Sequence, residues 1–301
     1  MPKMLPLLED LQVKGARDIP LYHLMNLSVQ SNLECKGSIS VEPEGSRQPI
    51  DLHFLRFGDS NMKLRLKGLM ENVERIEEEL KRIPCRFIKE LGIIDCNCPF
   101  SSELSQIQRN IWNCFGFVER MWISGSNSIV QWPAVEFRNL NCLQRLDLFG
   151  CPNLTGSLPS TISDDKNVLL PRLRDLRIVE CENLVEVPKL PASLEELHII
   201  ACPKLVSMPA NLGDIKKLRK LEVFGCEALT TFPDGMYGVP ALKKLCMERC
   251  PRVETLPEGL LRQLPALEKL CIRDCSNLEG AFSRGGAYWN LVEGIPQRSV
   301  G

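Results

Sequence analysis

The sequence predicts an α/β solenoid, and three observations predict it. One phrase, L-x-x-L-x-L-x-x-C-x-x-L-x-x-L-P, recurs as LRDLRIVECENLVEVP from 173, LEELHIIACPKLVSMP from 194, LRKLEVFGCEALTTFP from 218, LKKLCMERCPRVETLP from 242 and LEKLCIRDCSNLEG from 267. Successive starts lie 21, 24, 24 and 25 residues apart, a period at which each unit is one supersecondary element that buries its apolar face only against its neighbours. Within the phrase the apolar spacing changes, from two residues between positions 4 and 6 to three from 9 to 12 to 15, the mark of a short strand followed by turns.

With the first Leu of each unit as position 1, positions 4 and 6 share one strand face and 3, 5 and 7 the other. Positions 1, 4 and 6 are expected in the core, and Cys at 9 brings a small apolar group to the turn. One unit of about 24 residues cannot offset an ordering cost of roughly 1.5 kcal/mol per residue with some six side chains worth about 1.5–3 kcal/mol each, so stacking is obligatory. The expected architecture is a leucine-rich-repeat horseshoe with a concave parallel β-sheet and an irregular or helical convex side.

Taken in order, residues 1–117 read as irregular N-terminal leucine-rich repeats with inserted helices, 118–280 as regular repeats and 281–301 as a C-terminal cap. The ruler fits Leu8, Leu11, Val13 and Ala16, then Leu24, Leu27, Val29 and Asn32, then Leu52, Leu55, Phe57 and Ser60. It continues through Ile88, Leu91, Ile93 and Cys96, through Val118, Met121, Ile123 and Ser126, and through Leu143, Leu146, Leu148 and Cys151, for about eleven strands in all. Residues 31–50, polar with Gly37, Pro43, Gly45 and Pro49, read as a loop or a strand-to-strand excursion. Leu66, Leu69, Met70, Val73, Ile76, Leu80 and Ile83 recur at helical spacing and stop at Pro84, and a second helix is expected from Ser101 or Ser102 through Leu104, Ile107 and Ile111. The stretch 155–171 lengthens its unit to thirty residues and reads as a loop. In the cap, Tyr288, Trp289, Leu291, Val292 and Ile295 supply apolar surface for the last rung.

Composition narrows the function. A net charge of −1 recruits neither nucleic acid nor an anionic membrane, no run approaches the ~20 apolar residues of a membrane span, and MPKMLPLLEDLQVKG carries no secretory pattern; a cytoplasmic chain is expected. Of 14 cysteines, Cys96, Cys151, Cys181, Cys202, Cys226, Cys250 and Cys275 stand at position 9 and read as packing residues. His23, His53 and His198 sit in no ligand pattern, and Cys96 and Cys98 lack a second pair, so neither metal nor cofactor is expected. Cys246 and Cys271, at position 5, should be exposed neighbours on adjacent strands and the thiols most easily oxidised. No acid, base and nucleophile set emerges, so no catalytic residue is assigned and no enzyme expected.

What remains is the concave face. Position 5 runs Trp122, Asp147, Arg177, His198, Glu222, Cys246 and Cys271; position 7 runs Ser124, Phe149, Val179, Ile200, Phe224, Glu248 and Arg273. Phe149, Val179, Ile200 and Phe224 form an apolar column rimmed by mixed charge, which suits a protein partner better than a nucleic acid. Packing beneath flanking turns is the alternative use of that column.

The C-x-x-L-x-x-L-P phrasing, the irregular leading repeats and the G-G-x-Y-W-x-L-V-x-x-I-P of residues 285–296 resemble the leucine-rich-repeat region of plant intracellular nucleotide-binding leucine-rich-repeat disease-resistance receptors of the coiled-coil type. That resemblance implies recognition of a pathogen effector or guarded host protein, and autoinhibition of the nucleotide-binding and coiled-coil domains of a parent receptor. This chain contains no G-x-x-x-x-G-K-[ST] loop, so no nucleotide switch is assigned to it. Two other function classes are an extracellular repeat ectodomain, for which Leu154-Thr155-Gly156-Ser157-Leu158-Pro159 resembles the L-T-G-x-x-P of plant surface receptors, and a ubiquitin-ligase adaptor repeat region.

Overall fold

The computed structural model describes residues 36–41, 50–57, 61–67, 86, 88–94, 112–158, 169–233, 239–257, 260 and 264–301. The chain divides into two compact units, residues 1–128 with 135–143 and residues 129–134 with 144–301.

The first unit holds β1 (Lys36–Val41), β2 (Ile50–Phe57), β3 (Asn61–Lys67), β4 (Ile88–Ile94) and β5 (Arg120–Ser124). β1 pairs antiparallel with β2 and β2 antiparallel with β3, whereas β3–β4 and β4–β5 are parallel. This corrects two expectations. Leu52, Leu55 and Phe57 do not build a parallel rung, because only residues 58–60 separate β2 from β3 and a parallel partner needs a crossover of about a dozen residues or more. Leu66 lies in β3 rather than on a helix. β1 occupies the stretch read as loop or strand excursion, while the rest of the expected helix (68–85), the ruler matches at 8–16 and 24–32 and the second helix (101–111) lie outside the described residues.

From β4 onward the ruler holds. Ile88, Leu91, Ile93, Val118, Met121 and Ile123 are fully buried, and Trp112 meets Phe115 edge-to-face at 5.8 Å. Gly92 pairs with Trp122, and a Cβ there would fall 2.2 Å from the indole ring. The Trp122 ring thus occupies the space a side chain at Gly92 of the neighbouring strand would take.

The second unit is a stack of parallel strands, β6 (Arg145–Phe149), β7 (Asp175–Val179), β8 (Glu196–Ile200), β9 (Lys220–Phe224), β10 (Lys244–Glu248), β11 (Lys269–Arg273) and β12 (Gln297–Val300). Positions 4 and 6 of every rung from β6 to β11, such as Leu176 with Ile178 and Leu221 with Val223, are fully buried. Each full burial of such a side chain contributes about 1.5–3 kcal/mol.

The turn that ends each strand depends on position 8, which the repeat phrase left open. Gly150, Glu180, Ala201, Gly225, Arg249 and Asp274 all adopt a left-handed backbone, φ +50° to +64°. This turns the N–H of the first five toward the position-7 carbonyl of the next rung at 2.7–3.0 Å, extending the strand ladder by one bond. Only glycine adopts that conformation without strain, so Glu180, Ala201, Arg249 and Asp274 hold it at a cost of roughly 1–2 kcal/mol each. At position 9 the buried thiols then donate back to the position-7 carbonyl of their own strand, Cys202 to Ile200 at 3.5 Å and Cys275 to Arg273 at 3.2 Å. Packing and a weak hydrogen bond together account for cysteine there.

A second backbone ladder runs along position 13. Thr155 donates to Val130, Val185 to Thr155, Val206 to Val185 and Thr230 to Val206, at 2.8–3.1 Å. Val130, Val185 and Val206 stay about half exposed. Gly156, φ +91°, sits where a Cβ would strike the Glu186 carbonyl of the next rung at 1.6 Å, so the Thr-Gly dipeptide has a local structural cause.

The expected cap at 281–301 includes an added strand. A one-turn helix, α1 (Ala134–Phe137), precedes the stack in sequence; after it come α2 (Ser276–Phe282), α3 (Trp289–Val292) and then β12, parallel to β11. Phe282 and Val292 are fully buried, Leu291 is exposed, and the Arg298 guanidinium stacks over Trp289 at 4.1 Å. Among the described residues no helix is long and apolar enough to cross a membrane.

Candidate functional site: the strand face of the second unit

Strand alternation sends positions 3, 5 and 7 of β6–β11 to one face, and parallel register stacks like positions into columns. Position 7 gives Phe149, Val179, Ile200, Phe224 and Glu248. Phe149 is 39% exposed and the other four are half-buried, so the apolar column reaches solvent along its length.

Position 5 departs from expectation. His198 is 3% exposed, Glu222 8%, Cys246 3% and Cys271 9%. Facing away from the core did not make this column wet, because longer side chains at positions 3 and 7 flank it on both sides. Cys246 and Cys271 do pair across adjacent strands, but burial, with Cys271 beside it, pushes the Cys246 thiol up to about 11. They are therefore not the exposed, easily oxidised pair that alternation alone suggests.

The polar members of the column are kept by an ion-pair ladder spanning β6 to β10. Arg145 pairs with Asp147 at 2.9 Å and with Asp175 at 3.2 Å. Arg177 lies 3.3 Å from Asp175 and 3.7 Å from Asp147. His198 offers Nδ1 to Glu222 at 2.6 Å and Nε2 to Glu196 at 3.2 Å, with Asp175 at 3.8 Å. Lys220 lies 3.8 Å from Glu196 and 3.5 Å from Glu222, and Lys244 also binds Glu222. Burial pushes the Glu222 carboxyl up, but the Lys244 hydrogen bond and the charges of Lys220 and His198 outweigh it and hold the group below the ordinary carboxylate range. The Lys244 ammonium is raised, chiefly by the same hydrogen bond.

Of the residues singled out from the sequence, Asp147, Arg177, His198 and Glu222 thus form one electrostatic cluster, and Phe149, Val179, Ile200, Phe224 and Glu248 one adjoining column. Trp122 belongs to the first unit. Position 3, whose run of Arg120, Arg145, Asp175, Glu196, Lys220, Lys244 and Lys269 reads in the sequence as an acidic break between basic ends, joins the same cluster through its members from Arg145 to Lys244. Arg145, Asp175 and Lys220 each carry the sign opposite to the position-5 residue of their own rung, Asp147, Arg177 and Glu222, a match that appears once the rungs are laid side by side.

No family model matches the sequence, and no curated protein matches it. Among solved structures, the leucine-rich repeat domain of the type III effector XCV3220 (XopL) is similar, with TM-score 0.52, 24% identity, and coverage of 73% of this chain and 68% of that one. A leucine-rich repeat protein from Eubacterium ventriosum aligns over 78% of this chain and 85% of its own, with TM-score 0.18 and 11% identity. The first likeness, added to the rung geometry, identifies the stacked units of this chain as having the leucine-rich-repeat fold.

Proposed function

We propose that this chain is a protein-binding repeat module, and that its partner docks on the strand face of β6–β10. The observation that carries the reading is the position-7 column, four consecutive apolar side chains in register, solvent-accessible beside an ion-pair ladder. At about 4.8 Å per strand the column is some 15 Å long, the scale of the apolar centre of an interface with a polar rim. The ladder fixes the long charged side chains before any partner arrives, which lowers the ordering cost of association.

The finer reading, a cytoplasmic recognition region of a plant immune receptor that meets a pathogen effector or guarded host protein, is supported by the C-x-x-L-x-x-L-P phrasing and the motif at 285–296. Autoinhibition of nucleotide-binding and coiled-coil domains belongs to the same reading. The experiment compares wild-type chain with Ile200→Asp/Phe224→Asp in capture from plant extract, followed by titration of the purified captured protein. Loss of binding by at least about a hundredfold with an unchanged far-ultraviolet spectrum supports the reading; equal binding by both chains refutes the column as the contact.

A further inference from the structure

The His198 cluster brings one imidazole nitrogen and two carboxylate oxygens together. Glu222 is held by Lys220 at 3.5 Å and by Lys244, so its carboxylate is an acceptor and the 2.6 Å contact requires a proton on Nδ1 of His198. In the neutral ring the other nitrogen, Nε2, then carries only a lone pair. That lone pair faces Glu196 Oε2 at 3.2 Å and Asp175 Oδ1 at 3.8 Å, two further acceptors, from a side chain only 4% exposed. In that tautomer Nε2, Glu196 Oε2 and Asp175 Oδ1 are three potential ligand atoms brought together from two strands.

We propose that Asp175, Glu196 and His198 form a binding site for a divalent first-row transition ion, with Nε2, Oε2 and Oδ1 as its protein ligands. The three ligand atoms lie within 4.8 Å of one another. Bonds of about 2.0–2.2 Å place neighbouring ligands roughly 2.9–3.5 Å apart, so the observed separations close onto an ion with small side-chain rotations. The Glu222 carboxylate on Nδ1 is the outer partner that fixes the tautomer and orientation of a metal-bound imidazole. One imidazole and two carboxylates favour Mn²⁺, Co²⁺ or Zn²⁺ over Ca²⁺ and Mg²⁺, which take oxygen shells. Arg177, 3.3 Å from the same Asp175 oxygen, and Lys220, 3.8 Å from the same Glu196 oxygen, compete with the ion and weaken the site. Glu196, 41% exposed, gives the ion its approach and leaves the remaining coordination positions toward solvent. No linear motif announces the set, since Asp175 comes from β7 and the other two from β8. The proposal runs against the expectation that the histidines offer no ligand.

The test is titration of the reduced 301-residue chain with Co²⁺. One ion per chain is expected, with visible d–d bands but no thiolate charge-transfer band, and with at least about tenfold weaker binding in Glu196→Gln and in Asp175→Asn. In a His23→Asn/His53→Asn chain, ¹⁵N spectra of the one remaining imidazole should show Zn²⁺ shifting Nε2 while Nδ1 keeps its proton. No stoichiometric binding, a thiolate band, unchanged affinity in both variants, or an imidazole doubly protonated and blind to Zn²⁺ each overturns the proposal. The spectrum keeps the question decidable should either acidic variant fail to fold.

Discussion

Rungs β6–β9 and rungs β10–β11 solve one problem in two ways. At position 5 the first group carries Asp147, Arg177, His198 and Glu222, the second Cys246 and Cys271, yet the column is buried from β8 to β11. The earlier rungs hold charge by giving each ion a partner one strand away; the later ones replace charge with small thiols that need none. Burial at this position is therefore set by the flanking columns, and chemistry by what the adjacent rung offers.

Breaking the ladder should produce the largest effect. Glu222→Ala removes the partner of His198, Lys220 and Lys244 together and should destabilise the second unit by about 3 kcal/mol, since stranding a buried partner costs roughly 3–5 kcal/mol and the lysines keep some solvent. Cys246→Ala, in the same column, should cost only about 1 kcal/mol. Chemical denaturation of the two variants measures the contrast, and equal costs would dissolve it.

Alkali sharpens the same comparison. The Cys246 thiol is raised in the folded state, so its contribution is complete below the unfolded thiol value of about 8.5 and is lost as pH rises toward its folded value of about 11. Melting temperature should fall across that window, and Cys246→Ala should flatten the fall. Brief alkylation at neutral pH, mapped by mass spectrometry, should modify the half-exposed Cys114 and Cys142 before Cys246, Cys250 or Cys275. Prior labelling of Cys246 would show the column open.

The smallest effect tests the turn. Ala201 holds φ +53°, and Ala201→Gly should stabilise by about 0.5–1 kcal/mol, the relief of left-handed strain less the added entropy of the unfolded chain. Gly225→Ala, at the same position one rung on, should destabilise by a similar amount.

The repeat itself was legible in the sequence because Leu at positions 1, 4 and 6 and Cys at 9 each report a local need, a core face or a tight turn. β1–β3 were less so: β1 falls in a stretch that reads equally as loop or strand excursion, the apolar spacing of β2 mimics a rung while the three residues before β3 dictate an antiparallel return, and Leu66 of β3 joins a helical pattern. Position 8 escaped notice because Gly, Glu, Ala, Arg and Asp all serve there; the constraint acts on backbone angle, and no residue type marks it. The apolar column at position 7 could be read directly by stacking the repeats. The burial of His198 and Glu222 could not, because alternation tells which side of a strand a residue takes and nothing of how tall its neighbours stand. Position 13 stayed hidden for a related reason, as its ladder joins main-chain groups.

That ladder, like the strand ladder, bonds each coil only to the one before and the one after. Unravelling therefore starts from an end and advances coil by coil, and amide protons in β8 and β9 should exchange with solvent later than those in β11 and β12. A molecule built this way shields its centre by sacrificing its margins first, and the His198 cluster lies in that shielded centre.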